Sequence, residues 1–74
     1  MINLVIIFND EINYTKGKMF FGTKSSFSIF DINDKMRKIY FSVEDEDDAD
    51  CTDYYISQEL SSTNIENYSF EIEH

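Results

Sequence analysis

Two stretches of this sequence alternate apolar and polar residues one for one, and that rhythm narrows the fold more than any other feature. From Lys38 to Glu44, the residues Ile39, Phe41 and Val43 fall on one side and Tyr40, Ser42 and Glu44 on the other. In the last segment Tyr68, Phe70 and Ile72 oppose Ser69, Glu71 and Glu73. Successive side chains of a strand point to opposite faces, so both stretches read as strands with one face turned inward. A third segment, Ile2 to Phe8, is rich in β-branched and aromatic residues and reads as a buried strand.

The intervening segments carry weaker signals. Phe27 and Ile29 would share one face of a strand and Phe30 and Ile32 the other, so that strand would be covered on both sides. Asn33-Asp34-Lys35 then supplies a hairpin turn. Asn9 to Asn13 and Lys16-Gly17-Lys18 read as turns, Met19 to Thr23 as a short strand, and Thr23 to Ser26 as another turn. Residues 51–62 fit two patterns. As a strand, Tyr54, Ile56 and Leu60 line up at period two. As a helix, Asp48 or Asp50 caps the N-terminus and Ala49, Ile56 and Leu60 share a face. The helix is the preferred reading, because early acids suit the positive end of a helix dipole. The expected fold is therefore α+β: one domain over residues 1–74, built as a small antiparallel β-sheet of four or five strands with one short helix. An all-β meander is the alternative.

Composition bounds the rest. A chain of 74 residues builds a small core. Seven Phe and five Tyr argue that it folds, since disordered acidic tails are poor in aromatics. The single Cys51 leaves no internal disulfide and no zinc site of the cysteine type, and it points to a reducing cytoplasm. The apolar run at 2–8 is too short for a membrane span. No membrane association is expected.

Charge is distributed unevenly. The net charge is -9, from 15 acids and 6 bases. All six bases lie in residues 1–38, together with Asp10, Glu11, Asp31 and Asp34. Residues 39–74 hold the other eleven acids and no base. Seven carboxylates crowd into Glu44, Asp45, Glu46, Asp47, Asp48, Asp50 and Asp53. Their spacing brackets that of phosphates along a nucleic acid strand, about 3.4 Å apart. Glu59, Tyr54 and Tyr55 extend the candidate surface, because an exposed Tyr can both stack and hydrogen-bond. The bland reading of the run is a solvated acidic loop. Against it, a small domain stays soluble with a net charge of about 2–8, and clustered like charge costs stability.

Other chemistry is less well founded. Asp48, Asp50, Thr52 and Glu59 match positions one, three, five and twelve of an EF-hand loop, but the glycine required at position six is Asp53. Cys51 lacks a basic neighbour, and the one histidine is His74. No catalytic residue, metal site or cofactor is expected. Lys16, Lys18, Lys24, Lys35, Arg37 and Lys38 flank strands, where they would discourage edge pairing or meet the acidic half of a second copy in a homodimer.

In size, acid-rich half and Asn/Ile/Lys/Ser usage, the chain is similar to the small acidic proteins with which phages and mobile elements disarm host defences, among them anti-CRISPR, anti-restriction and uracil-DNA glycosylase inhibitor proteins. That likeness carries no residue over. It implies a non-enzymatic inhibitor in the host cytoplasm. Such a protein would act as an acidic nucleic-acid mimic on the basic nucleic-acid-binding surface of a nuclease or CRISPR effector, without touching nucleic acid itself. The alternatives are an immunity or antitoxin protein that captures a basic toxin, and a small structural subunit.

Overall fold

The computed structural model describes residues 2–23 and 29–74, with only the backbone of Phe30. Strand β1 spans Ile2–Phe8, helix α1 Glu11–Gly22, β2 Ile29–Asn33, β3 Lys38–Val43, helix α2 Glu46–Ser62 and β4 Tyr68–Glu73. The strands form one sheet in the order β2-β3-β1-β4, with every pair antiparallel. This β-α-β-β-α-β order is the split βαβ, or ferredoxin-like, arrangement.

The expected α+β class with an antiparallel sheet of four strands is what forms. The alternating stretches behave as strands: β3 buries Ile39, Phe41 and Val43 and leaves the intervening residues half-covered. Register aligns Leu4 with Phe41 and Ile72, and Ile6 with Ile39 and Phe70. These side chains face both helices, and Leu4, Ile6, Phe8, Ile39, Phe41 and Val43 join Tyr14, Phe21, Ala49, Ile56, Leu60 and Ile65 in one core cluster. On the opposite sheet face Asn3, Ile7, Lys38, Tyr40 and Ser42 are half-covered. Val5 lies on it yet is fully buried, between Tyr40 and Glu71 of the adjoining strands.

Three local readings are corrected. Residues 11–22, read as turns and a short strand, are a second helix. Gly17 does not turn the chain. It sits inside α1, where a Cβ would come within 2.5 Å of the Phe8 ring tip. Asp10 caps this helix by accepting the Asn13 N–H at 2.7 Å, so the turn formers at 9–13 are its N-terminal signal. Second, the helix in the ambiguous region starts earlier and runs longer than expected, and its cap is Asp45 rather than Asp48 or Asp50. Third, β2 does not alternate regularly. A bulge between Ile29 and Asp31 sets Ile29 opposite Phe41 and Ile32 opposite Ile39, so both isoleucines meet residues of the core-facing row. The reading of Phe27, of the Phe30 side chain, and of the turn beyond Thr23 falls outside the described residues.

The hairpin turn forms where expected. The Met36 N–H donates to Asn33 Oδ1 at 3.1 Å, and Arg37 takes a positive φ of 56° before β3 begins.

Candidate functional site

Helix α2 carries most of the residues singled out by charge, and its local chemistry divides them. The Asp45 side chain accepts the Asp48 N–H at 2.9 Å, and the Asp48 carboxylate reaches back to the Glu44 N–H at 3.0 Å. This reciprocal arrangement resembles a capping box. Glu46, Asp47 and Asp48 occupy the first turn, where the unpaired N–H groups favour anions. Asp45 and Asp48 are thus spent on starting the helix.

The remaining acids are dispersed around the axis. At about 100° per residue, Ile56 and Leu60 lie within about 20° of Ala49, which defines the buried side. Asp50 then lies about 100° to one side and Asp48 and Glu59 about 80–100° to the other, while Asp47 points almost directly outward, at about 160°. Tyr54 and Tyr55 diverge by the same 100° and are 68% and 56% exposed. Tyr54 shares the outer ridge with Asp47 and Asp50, whereas Tyr55 belongs with Asp48 and Glu59. The run is therefore a charged collar around the first half of α2 rather than a straight ladder. Asp53 and Glu59 are half-covered, and Asp53 accepts the Ser57 hydroxyl at 3.2 Å.

The same helix geometry overturns the EF-hand register. Asp48, Asp50 and Thr52 stand on a continuous helix and radiate from it, so they cannot wrap a cation. Among the described residues no group of three or more His, Cys, Asp or Glu side chains is arranged to hold a metal ion. Cys51 is exposed on the outer side of α2.

Further along the helix, a shallow groove of about 560 Å³ is lined by Tyr54, Ser57, Gln58, Ser61 and Ser62. Gln58 Nε2 donates to the Tyr54 hydroxyl at 2.8 Å and fixes the edge of that groove. No carboxylate lines it, so the charged collar and the groove are neighbours on one helix. Sequence reading missed Gln58; its position four residues after Tyr54 was the available signal.

Asp10, Asp34 and Glu66 lie at one end of the sheet; Glu44 to Asp48 and Glu73 gather at the other, where β3 and β4 end and α2 begins. His74 Nε2 lies 3.0 Å from Glu46 Oε1 there, and both side chains are largely exposed. Lys35, Arg37 and Lys38 lie at the opposite end, on the β2–β3 turn. Lys18 is engaged with Asp34 at 2.8 Å.

Among the described residues no helix is long and apolar enough to cross a membrane. No protein-family model, curated protein or solved structure matches this chain.

Proposed function

We propose that this chain is a non-enzymatic binding protein whose α2 collar occupies a cationic, nucleic-acid-binding surface of a partner protein, such as a nuclease or a CRISPR effector, and blocks it. The observation that carries the reading is the outer ridge of α2. Asp47, Asp50 and the exposed Tyr54 stand together on a stretch in which no lysine or arginine follows Lys38. Opposite charge would steer the encounter and make it fast and salt-sensitive. Tyr54 would supply the apolar and hydrogen-bonding part of the contact.

The test is capture of a basic partner by the intact protein, followed by elution with salt and by competition with nucleic acid. Replacing Asp47, Asp50 and Glu59 by Asn, Asn and Gln leaves the Asp45 cap in place, and should remove binding while the far-ultraviolet circular dichroism is unchanged. A partner held equally well by that variant refutes the reading. A partner that free DNA or RNA cannot displace would instead favour capture of a basic toxin.

A further inference from the structure

Strand β4 closes the sheet on one side, paired with β1 over all six of its residues without a bulge. The other margin, β2, is one residue shorter and is interrupted by its bulge, a common device against edge-to-edge pairing. No proline or bulge interrupts β4, and its charges, Glu71 and Glu73, stand on the row opposite Tyr68, Phe70 and Ile72. Its inward row is also incompletely covered: Tyr68 and Phe70 are half-buried and Ile72 is 37% exposed. Among the described residues no strand pairs with the outer side of β4, and unpaired backbone groups beside partly covered apolar side chains form a template for strand addition.

We propose that the occupant of this edge is β4 of a second copy, added antiparallel about a two-fold axis at Phe70 to give one continuous eight-stranded sheet. The register argues for self-pairing. With Phe70 opposite Phe70, Tyr68 falls opposite Ile72 and Ser69 opposite Glu71, so the apolar row continues across the junction and no two glutamates stand directly opposed. The two Glu71 side chains become diagonal neighbours, about 7–8 Å apart. Each copy also carries a net charge of -9. Association is therefore opposed by charge and driven by backbone pairing and apolar contact, so salt strengthens it. This sign is the reverse of that for a dimer joined through its basic and acidic halves.

Sedimentation equilibrium under reducing conditions, over a range of concentration and salt, tests it on the intact chain. The expected result is a monomer–dimer equilibrium whose Kd falls as salt rises. Ser69 is exposed, so it can be changed without disturbing the core. Ser69→Lys sets a cation opposite Glu71 at two symmetric places and should tighten the dimer roughly 2- to 30-fold at low salt. Ser69→Glu should weaken it by a similar factor. A monomer under every condition, a dimer dissociated by salt, or a Kd indifferent to both Ser69 substitutions would each overturn the proposal.

Discussion

Gly17 and the ring of Phe8 are complementary in shape. A Cβ on Gly17 would stand 2.5 Å from Phe8 Cζ and 3.1–3.2 Å from the two ε carbons. The ring cannot simply retreat, because it is buried between Tyr14 and Tyr68, with centroids at 5.9 and 6.0 Å. Alanine in a helix interior ordinarily gains about 1 kcal/mol over glycine. Here overpacking, typically about 1–3 kcal/mol, should outweigh that gain, with a net loss of up to about 2 kcal/mol. Urea unfolding of Gly17→Ala checks the sign. In the double variant with Phe8→Leu, the added methyl should cost markedly less than it does alone.

Asn64 ends α2 in a left-handed conformation, with φ 59°. The Ile65 N–H bonds the Leu60 carbonyl at 3.0 Å and the Asn64 N–H that of Ser61 at 3.3 Å, which is a Schellman motif. Ile65 and Leu60, the apolar pair of that motif, are both buried. Glycine tolerates this backbone better than asparagine, and alanine worse. Asn64→Ala should cost about 1 kcal/mol, or about 4–8 °C in Tm for a domain of this size, while Asn64→Gly should be neutral or slightly stabilising. Equal melting temperatures for the two variants would contradict this account.

Asp45 and Asp47 are two residues apart and should respond in opposite ways. Asp45 accepts the hydrogen bond that starts α2, so Asp45→Ala should lower stability by about 1 kcal/mol. Asp47 points outward among other carboxylates, and Asp47→Asn should change stability by less than about 0.5 kcal/mol. Denaturant midpoints for the pair separate helix-forming acids from surface acids.

The Tyr14 hydroxyl donates to Asp34 Oδ1 at 2.5 Å, and Lys18 Nζ donates to the same oxygen at 2.8 Å while lying 4.8 Å from the Tyr14 ring centroid. The Lys18 hydrogen bond, and then that of Tyr14, holds the Asp34 carboxyl below its ordinary value of 3.8. Its stabilising contribution is complete above that value and is lost as pH falls through the lower folded one. Burial, and then the bond to Asp34, pushes the Tyr14 phenol above its ordinary value of 10.0. That contribution is complete below pH 10.0 and is lost as pH rises beyond it. Asp34→Asn should therefore flatten the acid limb of the stability profile, and Tyr14→Phe the alkaline limb. Thermal melts across pH would expose either variant that leaves its limb unchanged.

Strands β3 and β4 were legible because alternation is a local property that any half-buried strand must show. The helical face of Ala49, Ile56 and Leu60 was legible for the same reason. Helix α1 was not, because its outer side carries Ile12 and Met19 in the open and its interior carries a glycine. Nothing near Gly17 in sequence reports the Phe8 ring against which it packs.

The segregation of charge belongs to the order of residues alone, and every fold of this chain would inherit eleven acids after residue 38 without a base. What each acid does is decided by tertiary structure. Packing of Ala49, Ile56 and Leu60 against the sheet sets the rotation of α2 about its axis. That rotation turns Asp47 and Asp50 toward solvent beside Tyr54, while the start of the helix claims Asp45 and Asp48 for its own N–H groups.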